Sequence, residues 1–230
     1  MVAPGRLAIM TSKALPWFLL LCSVSCGWTC VLAQGSQSAD PAVVFHALEQ
    51  HLLDARNVRL DFHVTAEGVV EADLRGSLEI DRAHRAHVTA SGRFTGQPVS
   101  LRFDADGEQY ELDNGTGLAM AMRPAYLEEA IIIGLTRMGI LHNLARLVGG
   151  VPPDHSEGGA GEWVTVDSFT AGGADAASIS FDITVAGQPA GSASLEVDSQ
   201  GNPVVRRQTV QFESGEMRVV ERYSTLTIGP

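Results

Sequence analysis

The sequence predicts an α+β protein: a single curved antiparallel sheet of about ten strands, with an N-terminal helix and a helical insertion. Three observations predict it. From Val58 onward, short segments alternate apolar and polar residues with a period of two, separated by turn residues. A segment with helical spacing precedes them. A second one, Pro124 to Val148, interrupts them.

The first helix starts at Asp40-Pro41, an N-cap followed by proline at the first helical position. Val44, Ala47, Leu48, His51 and Leu52 then recur at helical spacing, and the helix ends near Arg56. Val58, Leu60, Phe62 and Val64 share one face of the first strand, with Arg59, Asp61, His63 and Thr65 opposite. After a turn at Glu67-Gly68, Ala72, Leu74, Gly76, Leu78 and Ile80 repeat the pattern. Further strands are predicted at about Arg85 to Phe94, Val99 to Asp104 and Gln109 to Leu112, with Asp106-Gly107 as a hairpin turn between the last two. The interruption carries Leu127, Ile131, Leu135, Met138, Leu141, Leu144 and Leu147, punctuated by Gly134 and Gly139, which predicts two short helices. A loop rich in Gly and Pro follows, Gly149 to Gly161. Five strands complete the meander, at about Trp163 to Phe169, Ala177 to Ala186, Ser192 to Asp198, Val204 to Glu213 and Met217 to Ile228.

Residues 1–33 are set apart from this pattern. Arg6 and Lys13 precede an apolar run from Ala14 to Val24, no acidic residue is present, and Val31-Leu32-Ala33 supplies a cleavage signature, so they are expected to be a secretory signal. Residues 34–39 read as a linker, and residues 40–230 as a single domain. Cys26 faintly resembles a lipid-attachment site but lacks a Leu three residues before it, so cleavage after Ala33 is the preferred expectation over a lipid anchor. The mature chain would hold 14 Arg, no Lys, no Cys and 27 acidic residues, a formal charge of −13. That charge opposes nucleic acid and anionic membrane surfaces as partners. Lack of thiols excludes a disulfide scaffold and thiolate chemistry. Charged residues interrupt the insertion often enough that no apolar run of about 20 residues, the length of a membrane span, exists in the mature chain.

Nothing nominates an enzyme, since neither a Gly-x-Ser-x-Gly elbow, a His-Glu-x-x-His helix nor a Gly-rich phosphate loop is present. No metal site or cofactor is expected. His84 and His87, three apart on a strand, point to opposite faces, and Asp104, Asp106 and Glu108 are too closely spaced for a calcium loop. Asn114-Gly115-Thr116 matches a glycosylation sequon but reads as a strand-ending turn.

The candidate site is therefore apolar. Leu60, Phe62, Leu74, Leu78, Ile80, Leu101 and Phe103 share the dry parity of their strands, and Ile131, Leu135 and Met138 face them from the insertion. Periodicity alone leaves open whether these side chains line a cavity or fill a core. Counting by twos from Leu74 brings Arg82 onto the same face, where its guanidinium either reaches acceptors at the cavity rim or snorkels into water just past the strand end.

Gly76-Ser77-Leu78-Glu79-Ile80-Asp81-Arg82-Ala83-His84-Arg85, Asp106-Gly107-Glu108-Gln109-Tyr110-Glu111-Leu112-Asp113 and the later Leu195 to Val204 run resemble the periplasmic lipoprotein-carrier (LolA/LolB-like) family. The resemblance spans most of the mature chain. It implies a periplasmic half-barrel whose apolar cavity, under short lid helices, binds or carries the acyl chains of a lipid or lipoprotein. It also implies that Arg82 occupies the place of the family arginine that contacts the lid and couples its opening to ligand entry. An interaction or sensor protein, using the same fold to engage an envelope protein, is the alternative function.

Overall fold

The computed structural model describes residues 40–81, 83–153, 159–172 and 177–229. The signal and linker readings, and Arg82, lie outside the described residues. Helix α1 (Pro41–Asp54) leads into strands β1 (Asn57–Gly68), β2 (Ala72–Asp81), β3 (Arg85–Phe94), β4 (Gln97–Asp106), β5 (Gln109–Asp113) and β6 (Leu118–Met122). The insertion follows as α2 (Leu127–Ile133), a π-helical segment (Gly134–Met138) and α3 (Ile140–Val148). After the short α4 (Ala160–Trp163) come β7 (Val164–Ala171), β8 (Ala177–Val185), β9 (Gln188–Val197), β10 (Pro203–Phe212) and β11 (Gly215–Gly229).

The eleven strands of the described residues form one antiparallel sheet in the order β6-β5-β4-β3-β2-β1-β11-β10-β9-β8-β7, so every strand pairs with a chain neighbour, and the one pairing between strands distant in the chain, β1 with β11, joins the two halves. Strands β6 and β7 are free edges, and the barrel stays open. The sequence predicts ten strands; the eleventh, β6, escapes because Leu-Ala-Met-Ala-Met has no polar alternation and all five residues are exposed. Its neighbour β5 supplies the register: Tyr110 pairs with Ala121 and Leu112 with Ala119.

The period of two decides the faces. Val58, Leu60, Phe62 and Val64 of β1 are buried, as are Leu74, Leu78 and Ile80 of β2 and Leu101 and Phe103 of β4. Their intervening neighbours carry the polar pairs of the outer face, such as His63 with Asp73 at 2.9 Å and Ser77 with Thr89 at 2.9 Å. Gly76 sits opposite Phe62 in the register, and a Cβ there would lie 1.8 Å from the Thr89 carbonyl oxygen and 2.7 Å from Phe62 Cζ. The ring fills the space that a side chain would need, which is why a glycine is built into the middle of a strand.

Helix α1 starts as predicted, with the Asp40 carboxylate accepting from Ala42 N at 2.9 Å and Pro41 in the first turn. Its buried face differs from the predicted one. Phe45, Leu48, Glu49 and Leu52 are inside, whereas Ala47 and His51 are exposed. Phe45 packs against Phe181 and Phe169 with ring centroids 4.8 and 5.3 Å away, and Glu49 has a cationic partner, so an aromatic anchor and an ion pair set the helix rotation. The fold class is as predicted, with helices on the dry face of an open sheet.

Candidate functional site

The insertion is held by two buried carboxylates. Glu49 on α1 accepts from Arg137 Nε at 2.8 Å and Nη2 at 2.5 Å, a two-point pair, and from the Thr136 hydroxyl at 2.8 Å. Arg137 Nη1 donates on to the carbonyls of Gly161 at 2.9 Å and Val164 at 2.6 Å. The π-helical segment is thus tied to α1, α4 and the start of β7.

Glu221 holds the next helix. Gly139 breaks the helical path with φ +85°, and the freed amides of Ile140 and Leu141 donate to the Glu221 carboxylate at 3.0 and 2.9 Å. A residue 81 positions away in sequence from Ile140 therefore caps α3, where its charge also meets the positive end of the helix. The Tyr223 hydroxyl donates to the same carboxylate, and burial beside Glu221 pushes its pKa well above the usual tyrosine range. Arg206 is fully buried, which lowers its pKa, while the Glu221 charge acts in the opposite sense. Its guanidinium donates to the Arg137 carbonyl and, at 3.1 Å, to Gln208 Oε1, and it lies 5.7 Å from the Phe181 ring centroid.

Two large openings flank the helices. At the end where β2 turns into β3, a cleft of about 530 Å³ lies between α1 and α2; Ile80, Leu52 and Ile132 share its wall with His84, Glu128, Glu129 and Arg137. At the opposite rim, a cavity of about 320 Å³ lies under α3 between the β1–β2, β3–β4 and β10–β11 turns. Ten of its twelve lining residues are apolar, including Val70, Phe94, Leu141, Val210, Phe212 and Met217, and only His142 and Gln208 are polar. Burial and the nearby Arg146 charge hold the His142 pKa down at about 4, so the imidazole is neutral near pH 7.

The predicted apolar residues Leu60, Phe62, Leu74, Leu78, Ile80, Leu101, Phe103, Ile131 and Leu135 all join one contiguous buried cluster, and Met138 packs against it. Of these, Ile80 also lines the cleft and Met138 the apolar cavity. The cavity walls extend the same cluster through Leu141, Met217 and Val219. Sequence reasoning missed Glu49, Arg137, Arg206, Gln208 and Glu221. Glu221 was legible, since Met217, Val219, Glu221 and Tyr223 share a parity whose other members are apolar or aromatic. Arg206 was not, because Val205, Arg207 and Thr209 are no more polar than Val204, Arg206 and Gln208.

His84 and His87 are separated by structure as well as by parity. His84 lies in the β2–β3 turn at φ +67° rather than on a strand, whereas His87 pairs with Asp104 on the outer face. Asn114 ends a strand in a turn and donates to the Val148 carbonyl at 3.0 Å. No helix among the described residues is long and apolar enough to cross a membrane.

An open antiparallel half-barrel wrapped on helices, with an apolar cavity at one rim, is the class of protein these features define. No protein-family model and no curated protein matches the chain. Among solved structures it is similar to a LolA superfamily protein from Nitrosomonas europaea, with a TM-score of 0.36 and 7% identity over 84% of this chain and 95% of that one. It is also similar to the lipoprotein LppX of Mycobacterium tuberculosis (TM-score 0.39, 13% identity, 82% of this chain and 96% of that one). LprF from Mycobacterium bovis gives a TM-score of 0.40 and 11% identity over 83% and 96%. At such scores the likeness carries no argument about ligand or chemistry, which rest on the residues themselves.

Proposed function

We propose that this is an exported, non-enzymatic envelope protein that shelters an acyl chain of a lipid or lipoprotein in the apolar cavity, with α3 as the movable wall. The cavity composition carries this reading: a space of about 320 Å³ with ten apolar lining residues is within the size range of small-molecule sites. Each methylene taken from water into it contributes about 0.8 kcal/mol, so a chain of moderate length supplies binding energy without catalysis. The cleft at the other end is the poorer site for such a chain because Glu128, Glu129 and Arg137 line it. The signal-like residues 1–33 support export and a periplasmic location.

The test is to purify the protein from envelope extracts, record native mass spectra, and extract bound material into organic solvent. Lipid is expected with the wild type and lost in Ala145→Phe, which fills the cavity from α3. Protein that carries no lipid and does not bind the neutral fluorophore Nile red sinks the reading, as does a folded Ala145→Phe protein that binds both as the wild type does. A stoichiometric protein partner in place of lipid selects the interaction-protein alternative.

A further inference from the structure

The one buried polar side chain in the cavity wall has a defined orientation. Gln208 is 7% exposed, and its Oε1 lies 3.1 Å from Arg206 Nη1. A guanidinium has only donors, so the oxygen of the amide must face Arg206 and the NH2 group must point away from it. That Nε2 has no hydrogen-bond partner among the described residues, and it is not among the fully enclosed unpartnered atoms, so it retains access to open space. Two N–H donors are thus presented at a wall whose other lining residues, His142 apart, are apolar. Leaving them unmatched against a hydrocarbon chain is costly, whereas an acceptor on the ligand satisfies them.

The surroundings decide what kind of acceptor fits. His142, the other polar lining residue, is neutral near pH 7, and no Lys or Arg lines the cavity. Arg206 lies behind the wall at 0% exposure, with the Glu221 charge to balance it. A carboxylate drawn into this cavity would leave water without meeting a free cation.

Resting on the lipid-binding reading, we infer that Gln208 selects the ligand: the cavity takes an acyl chain whose head carries an uncharged carbonyl, an ester or amide, with the carbonyl oxygen accepting from Gln208 Nε2. Free fatty-acid anions and bare hydrocarbons are the disfavoured classes. Gln208 is a specificity-determining residue, and its orientation is set by Arg206.

Displacement of Nile red from delipidated protein tests this with three probes of equal chain length: a myristoyl monoglyceride, myristate at a pH where it is ionised, and tetradecane. The monoglyceride should bind about tenfold more tightly than either of the others, the worth of one well-made hydrogen bond. Gln208→Glu keeps an acceptor for Arg206 but replaces the donor group with an acceptor, and Gln208→Met keeps the volume alone. Both should lose the preference for the monoglyceride while still binding Nile red, which also shows that they are folded. Myristate binding as tightly as the monoglyceride, or a preference unchanged in both variants, overturns the inference and leaves the lipid reading standing. Failure of wild-type protein to bind Nile red or any of the probes defeats the lipid reading itself, and this inference with it.

Discussion

Replacing Glu221, on β11, by Gln should strongly weaken the hold on the helical insertion. Glu221 is 1% exposed and serves three neighbours: the amides of Ile140 and Leu141 and the Tyr223 hydroxyl. A glutamine keeps one oxygen, so one helix amide stays capped while the other faces an NH2 group. Loss of a cap costs about 0.5–2 kcal/mol. The larger effect is electrostatic, because the 0% exposed Arg206 guanidinium loses its compensating charge. Arg206 and Glu221 interact through space and not as a contact pair, so the loss falls below the cost of breaking such a pair, about 3–5 kcal/mol. The two contributions overlap, so about 2–3 kcal/mol is expected, a large part of a total domain stability of about 5–15 kcal/mol. Urea denaturation gives the number through the midpoint at constant slope. Arg206→Met in the same background should recover part of the loss, with a coupling above about 1.5 kcal/mol in the double-mutant cycle. Hydrogen exchange should accelerate first at the amides of Ile140 and Leu141. A Glu221→Gln protein within about 1 kcal/mol of wild type, or strict additivity with Arg206→Met, would refute the account of Glu221 as both cap and counter-charge.

Gly139→Ala should destabilise by at least about 1 kcal/mol, because φ is +85° and the new Cβ would lie 2.6 Å from Glu221 Oε1; thermal melts of the purified variant check it. Phe103→Ala should show the full core cost of about 3–5 kcal/mol in denaturant, since the ring is 0% exposed, packs 5.4 Å from the Tyr110 centroid, and lines neither large opening. His142 protonates near pH 6.5 when unfolded and near pH 4 when folded, so its contribution is intact above pH 6.5 and about 3 kcal/mol is lost progressively as the pH falls from 6.5 through 4. The stability difference between wild type and His142→Gln should change across that window and be flat above it, as read by urea titrations at several pH values. Intact-mass measurement on protein exported with its leader should give a chain beginning at Gln34; a lipid-modified Cys26 at the N-terminus would replace that reading with an anchored form.

The class of fold was written in local patterns. Alternation from Val58 to Val64 and from Ala72 to Ile80 fixes which side chains face inward before any strand has a partner, because successive Cβ atoms must point to opposite sides. Asp40-Pro41 marks the start of α1, and Gly139 breaks the insertion, for equally local reasons. What depends on partners distant in sequence was left to the tertiary structure. The rotation of α1 is set by Glu49 meeting an arginine 88 positions away, and α3 is capped by a carboxylate 80 or more positions beyond its first turn. Strand β6 is a strand only because β5 offers it an unpaired edge. The same holds for the binding surface: parity placed Leu60, Phe62 and Phe103 inside, but only the docking of α1 and the insertion decided that they pack in a closed core while open apolar space remains under α3. Pattern in a sequence records the preference of a side chain for water or for the interior; which interior atoms it touches, and where space is left between them, follows from packing that no single segment encodes.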